Sequence, residues 1–535
     1  MTDPRENERV SGPADRALIL VQFARRRAGL LVTLAAAIVC LPFTRSIWVF
    51  TDEGIWLHAA RRMSEGQILY RDFFEFHPPL GFLIVYGWVS AFGVTLLAAR
   101  LLFVLVIAST AGFAFAACRE MSGRVGLSAF LVLFWVVASQ GYWTQVNHHW
   151  LTSLFSVIVL WALMPADGKP DRPALAGLAA SAAALVTTQR GGLIVMASLV
   201  AVLQRRSAKA LMWFLAGGAI LLAGVLIFLW RQGSVEAAFE QVILYTAGHY
   251  SSIQWVPFGA FIHVQTAAIV AVFPLAACLL VTAIRRHGFA LLRRRHWTTA
   301  ILFFLSALLG CFPRPDAVHI SFGAVLALPL LAGLLDLLLP NGRSGLVLKR
   351  IAVAAMLTTL VPLVGSAIEI VRAGSVESRA GTVSIVPRNG ATEILDRLNH
   401  IPAGDSVFFY PYDPLLPVLA GRRHPARLDL LVPQYSTVSQ YYETCRDVMA
   451  SAQWVVIDIE ISKPSFYPKV FPAMGNPSPP EKMSFENALY QGFVDAGRFG
   501  DFHLLRRGGA TSGLCEAVRG RASQGIPPGG GKRPA

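Results

Sequence analysis

Apolar residues occur along this chain in long blocks separated by short polar stretches. Blocks near 29–50, 95–117, 125–140, 150–164, 174–188, 191–204, 210–230, 259–284, 298–312, 317–339 and 349–371 approach the roughly 20 residues that a helix needs to cross a bilayer. The pattern predicts an all-α polytopic membrane protein with about 11 transmembrane helices. One further block, Gly81–Leu97, is apolar enough to cross but is interrupted by Gly87 and Gly93. From about Ser375 the blocks give way to shorter segments. Ser406–Tyr410 reads as a strand, followed by a turn at Pro411–Pro414 and a short helix. Trp454–Ile459 reads as a buried strand, Phe485–Ala496 as a helix and His503–Leu505 as a closing strand. Strands alternating with helices indicate a small α/β domain. The chain thus divides into an N-terminal segment (1–27), a transmembrane domain (28–372), an α/β domain (373–508) and a Gly/Pro-rich tail (509–535) expected to be disordered.

Charge then decides sidedness. If Gly81–Leu97 lies in the interface as a helical segment, the loops at Arg119–Arg124, Asp167–Arg172, Gln204–Lys209, Arg285–His296 and Asn341–Arg350 share a side with Arg25–Arg27. Those loops hold fifteen Lys and Arg residues; the opposing later loops hold three, Arg190, Arg231 and Arg314. A crossing Gly81–Leu97 would invert this bias, so the positive-inside rule places the N-terminus in the cytoplasm of a plasma (inner) membrane protein. Everything after Arg372 then lies outside, including the α/β domain. The first apolar block is too long for a cleavable signal and reads as a retained anchor.

Composition agrees with a membrane protein. Of 535 residues, 54% are hydrophobic and 15% charged, with mean hydropathy +0.53, against about 25% charged in soluble proteins. The net charge of +15 resides in short loops, where it is a topology signal, so nucleic acid is not an expected partner. Cys40, Cys118, Cys278 and Cys311 lack the spacing of a metal site. Cys445 and Cys515 fall in the polar C-terminal part, where a disulfide and two free thiols both fit.

The candidate chemistry concentrates in the first outer loop, 51–80. Asp52, Glu53, Asp72, Glu75, His58 and His77 crowd into it, whereas only Glu120, Asp167 and Asp171 are acidic between Gly81 and Trp230. Carboxylates at a membrane surface need water, a cation or a substrate to offset desolvation. Thr51 is a good helix N-cap and Asp52-Glu53 suit a first turn, so capping alone would account for them. The functional reading makes Asp52 a general base for an acceptor hydroxyl, with Glu53 as its substitute. Pro78-Pro79 would hold His77 at the membrane surface, where it donates to a lipid phosphate or joins Glu75 on a divalent ion. Tyr70 and Asp72 support the same pocket, and Phe73, Phe74 and Phe76 read as interface anchors. The assigned topology brings His148, His149, Arg190, His249-Tyr250, Arg314, Asp316 and His319 to this face. Arg190 and Arg314 suit an anion, and Arg100 would reach it by snorkelling. An Arg314–Asp316 pair in a turn is the plainer reading of that cluster.

The order of these elements resembles the GT-C glycosyltransferases, near the protein O-mannosyltransferase and lipid A aminoarabinose transferase group. The resemblance rests on Asp52-Glu53 after the first span, Gly66…Tyr70…Asp72, His77-Pro78-Pro79-Leu80 and Phe92-Gly93…Ala99-Arg100. It implies inverting transfer of a sugar from a polyprenyl-phosphate donor outside the membrane. The acceptor would be a lipid, polysaccharide or protein, and membrane lipids would surround the enzyme. Asp52 would match the family carboxylate and His77 a donor-phosphate contact. Phe76 stands where relatives have an acidic metal ligand and Glu75 is one position away, so a divalent metal is an open cofactor assignment. The alternatives are a flippase for a lipid-linked sugar, which would need polar residues at mid-membrane depth, and a non-catalytic envelope glycan-binding protein.

Overall fold

The computed structural model describes residues 27–47, 52–140, 145–165, 170–339, 343–385, 389–509 and 512–519. Thr51, Arg25 and Arg26 lie outside them. The first part of the chain is helical: α1 (Ala28–Cys40), α2 (Glu53–Ser64), α3 (Pro79–Phe92), α4 (Leu96–Ser122), α5 (Val125–Gln140), α6 (His148–Leu163), α7 (Pro173–Val186), α8 (Thr188–Leu203) and α9 (Ala208–Arg231). After several short turns follow α10 (Val272–His287), α11 (Arg295–Gly310), α12 (Ala317–Ala324), α13 (Leu328–Leu338) and α14 (Arg343–Arg372). Four described helices are long and apolar enough to cross a bilayer unaided: Leu96–Ser122, Ala208–Arg231, Thr266–His287 and Val353–Arg372. Shorter apolar helices, among them α3 and α6 to α8, pack between them. This is a multi-pass membrane protein.

The block at 317–339 is not one straight span. It breaks between α12 and α13 with a 69° bend, which leaves His319 on a short helix at the polar end. α3, the Gly81–Leu97 block, has 14 residues, about 21 Å at 1.5 Å per residue, short of a ~30 Å hydrocarbon core. α7 also has 14 residues and α8 has 16, so length alone does not set α3 apart.

Glycine lets α7 and α9 touch backbone to backbone. A Cβ on Gly177 would lie 1.8 Å from the Phe214 carbonyl oxygen, and one on Gly217 would lie 2.0 Å from that of Ala174. In lipid, where burial of apolar surface gives little drive between helices, such close approach is a main source of cohesion.

The C-terminal region builds two sheets. In the smaller, β1 (Ser46–Ile47) runs parallel to β3 (Gly381–Ile385), which pairs antiparallel with β2 (Ser375–Ser378). None of these strands was expected; β2 and β3 form a local hairpin, while the two-residue β1 pairs with a strand more than three hundred residues away. In the larger, β4 (Val407–Tyr410), β5 (Trp454–Asp458), β6 (Phe493–Phe499) and β7 (Phe502–Arg507) are ordered β4-β5-β7-β6. β5 is buried throughout, as its β-branched run predicts. The helix expected over Phe485–Ala496 is Pro480–Gly492, and its last residues instead begin β6. Cys445 and Cys515 are joined by a disulfide. It holds Ser512–Arg519, with a short helix and a buried Val518, so these residues are ordered where a disordered tail was expected. Residues 520–535 lie outside the description.

Gly217→Leu should force α7 and α9 apart and destabilise the detergent-solubilised protein by about 1–3 kcal/mol, the usual range for overpacking. Gly224→Leu, beside open space, should leave the unfolding midpoint unchanged in the same measurement.

Candidate active site

The first outer loop separates its two leading acids. Asp52 occupies the N-cap position of α2, yet its side chain caps nothing. Its Oδ1 instead accepts a 2.6 Å hydrogen bond from the Tyr412 hydroxyl, in the turn after β4. Glu53, one residue on, points about 100° away around the helix and is 1% exposed. It holds Arg100 of α4 bidentately, at 2.5 Å (Nε–Oε1) and 2.7 Å (Nη2–Oε2). The remaining donors of Arg100 reach the carbonyls of Phe43 and Ser46 at 2.8 and 3.1 Å. The expected snorkelling of Arg100 to a donor phosphate therefore does not occur here: its guanidinium is committed to Glu53. Glu53, in turn, has both carboxylate oxygens engaged by the Arg100 guanidinium.

The loop after α2 is fixed by Tyr70, which sits at φ +70°, an uncommon conformation for a non-glycine residue. The Tyr70 carbonyl accepts from Gln241 at 2.8 Å and from Arg427 at 3.2 Å. Its hydroxyl donates to the His77 carbonyl at 2.7 Å, so Tyr70 sets the position of His77. Asp72 is not part of this pocket: it closes its own turn on the Ile68 amide and pairs with exposed Arg71. Phe73 and Phe76 are buried and Phe74 partly so, in protein cores, which replaces the expected interface-anchor role. The Arg62 guanidinium covers the Phe73 ring at 4.7 Å.

Four imidazoles form a continuous row. Centroid distances are 4.5 Å from His77 to His148, 3.8 Å to His149 and 4.9 Å on to His319. Asn147 starts α6 by accepting from the Trp150 amide, which turns His148 and His149 into the row. Trp56 of α2 packs beside His77 and His148 at 5.2 and 5.5 Å. The Nδ1 atoms of His77, His148 and His149 and the Trp56 Nε1 are buried without a hydrogen-bond partner among the described residues. Burial brings His77 down to about 3, so it is neutral at physiological pH.

Beyond the row lies Asp316, the N-cap of α12. It accepts from the His319 amide at 2.8 Å, His319 Nδ1 at 2.7 Å and Arg314 Nε at 2.9 Å. Burial opposes its charge, but His319 and Arg314 outweigh that and bring it down to about 2. Arg314 also donates to Gln254 and to the Val470 carbonyl, so the turn pair is the role that the hydrogen bonds support. Arg190 donates to the Gly310 carbonyl at 2.9 Å and lines a cavity of about 20 Å³ with His149, Thr152, Ser153, Ser306 and Phe322, room for one water. Tyr250 lies within electrostatic reach of Arg314, Asp52 and Arg190 together.

Glu75 and His77 lie side by side, as the loop suggests. Glu75 Oε2 is 4.0 Å from His77 Nδ1, and burial, then the charge of Asp429, pushes the Glu75 carboxyl well above the usual range. Among the described residues no three His, Cys, Asp or Glu side chains are arranged to hold a metal ion.

No protein-family model and no curated protein matches the sequence. The architecture does match solved structures. ArnT from Cupriavidus metallidurans bound to undecaprenyl phosphate superposes with TM-score 0.52 at 15% identity, covering 91% of this chain and 98% of that one. The apo state of the same protein gives 0.53 at 13% identity, over 91% and 99%. The chain has the GT-C fold.

Within this GT-C fold two side chains from the C-terminal region meet the first outer loop, and neither was singled out from sequence. Tyr412 is one. Asp429 is the other: it accepts from His58 at 2.7 Å and Arg62 at 2.8 Å, with His424 Nδ1 at 3.2 Å. Burial opposes the charge of Asp429, but His58, Arg62 and His424 outweigh it and hold the carboxylate well below its usual range. An acid standing alone between apolar residues in Arg427–Leu431 was the one available signal.

Glu53→Gln or Arg100→Met alone should cost about 3–5 kcal/mol of stability, because each leaves a buried charge or donor without its partner. The double variant should cost less than the two singles together in the same unfolding assay. A pH effect follows from the buried histidines. Burial, opposed by Asp429, holds His424 at about 4, and burial holds His77 at about 3. Both rings thus decline a proton that the unfolded chain accepts near pH 6.5. Unfolding is then linked to proton uptake, and stability falls as pH drops from about 6.5 toward about 4. His424→Gln should reduce that slope in Tm measured across the interval.

Proposed function

We propose that this protein is an integral membrane glycosyltransferase that moves a sugar from a polyprenyl-phosphate donor to an acceptor hydroxyl, with inversion, on the extracytoplasmic side. The observation that carries the reading is the buried row of His77, His148 and His149 with unpartnered Nδ1 atoms, in a fold whose structural neighbour binds undecaprenyl phosphate; Tyr250, within electrostatic reach of Asp52, Arg190 and Arg314, supports it. The charge bias of the loops supports the side, and the polar C-terminal region lies on the face of these residues.

Asp52 acts as the base. It takes the proton of the acceptor hydroxyl as that oxygen attacks the anomeric carbon, and the bond from carbon to phosphate oxygen breaks on the opposite face. A phosphate leaving group has a low pKa and needs no general acid, so one carboxylate suffices where glycosidases use two. The departing phosphate needs fixed donors. Arg190 supplies a charged one, and the Nδ1 and Nε1 atoms of His77, His148, His149 and Trp56 supply neutral ones. Arg314 contributes field rather than a free fork, since Asp316 holds it. Arg100 and Glu53 support the wall behind Asp52.

Asp52→Asn should abolish sugar transfer while expression and unfolding midpoint stay at wild-type values. Transfer is to be followed by comparing lipid-linked and envelope glycans in cells carrying each form. Undiminished transfer by the variant would remove Asp52 as the base.

A further inference from the structure

The C-terminal region does not merely sit above the site; it reaches the reacting carboxylate. The turn after β4, Pro411–Leu415, lies directly on the start of α2. A Cβ on Gly54 would meet the Leu415 backbone nitrogen at 2.2 Å and the Pro414 carbonyl carbon at 2.4 Å, so only glycine permits this approach. Within the next two turns, Arg61 donates to the Pro417 carbonyl at 2.8 Å, and His58 and Arg62 bind Asp429. Three contacts therefore set the register between α2 and the C-terminal region.

That register delivers Tyr412 to Asp52. An aspartate at an N-cap ordinarily accepts from the amides of its own helix, and here it does not. Its Oδ1 is taken by the Tyr412 hydroxyl at 2.6 Å, while Oδ2 has no partner among the described residues. We propose that Tyr412 is a positioning residue for the Asp52 base, and that the C-terminal region is thereby a working part of the active site. This rests on the reading of Asp52 given above. The phenol locks one carboxylate oxygen and leaves the other for an acceptor hydroxyl. Burial, reinforced by the Asp52 charge, pushes the Tyr412 phenol well above its usual range, so it stays a donor at every working pH.

The test uses the full-length protein and Tyr412→Phe, with undecaprenyl-phosphate-linked sugars from an envelope lipid extract as donor and release of undecaprenyl phosphate as readout. The variant should lose about 10- to 100-fold in kcat, as expected for a hydrogen bond to a charged group, with donor KM within about twofold because the phosphate contacts are untouched. Infrared difference spectra against Asp52→Asn isolate the Asp52 carboxylate band, and Tyr412→Phe should move it to the frequency of a carboxylate without that donor. If Tyr412→Phe does not fold, a ring-fluorinated tyrosine at 412 keeps the shape, and kcat should then change in step with phenol acidity. Unchanged kcat and an unmoved band, or indifference to fluorination, would overturn the proposal. Active Asp52→Asn would instead overturn the base assignment, whatever Tyr412→Phe does.

Discussion

The buried pair of Glu53 and Arg100 is the interaction on which the rest of the site depends. It ties the first turn of α2 to α4 and, through the Phe43 and Ser46 carbonyls, to the end of α1 and the start of β1. A charge pair with both members 1% exposed is not a cheap source of stability, since desolvation offsets most of the attraction. Its value is geometric. The guanidinium fork accepts one arrangement of a planar carboxylate, so α2 has one rotation about its axis. With Glu53 turned into the protein, Asp52 must face the other way.

On that other side the chain closes the site with residues from far along its length. Tyr412 meets Asp52, and Asp429 gathers His58, Arg62 and His424. Asp429 is well supplied with donors, while the imidazole row from His77 to His149 is not. Buried nitrogen atoms without partners are rare in native proteins, and here they lie in one patch. The molecule has spent its satisfied polar contacts on holding the walls and left the donors of the pocket open.

The sequence and the structure agree most where physics is local. Apolar blocks mark helices because backbone groups in lipid must be satisfied within each segment. The β-branched run at Trp454–Asp458 became a buried strand, and Asn147 and Asp316 became N-caps that aim the residues behind them. The 69° break inside 317–339 escaped notice because hydropathy carries no sign of direction. The strand β1 escaped because two residues hold no pattern, and its partner lies more than three hundred residues away.

The chain's own order of residues determined that a helical membrane protein would carry an acidic loop with two histidines after its first apolar block, and that basic residues would be scarce in one alternate set of the short later loops. Those are statements about composition at positions, and they survive any folding detail. Tertiary structure alone decided which charges are spent. Arg100 and Arg314 look as available in sequence as Arg190, yet one is bound by Glu53 and another by Asp316. Tyr412 looks like a turn residue until β4 brings it to Asp52. Pairing depends on distance in space, where the energy of a charge or a hydrogen bond is set within a few ångströms, and sequence separation says nothing about that distance.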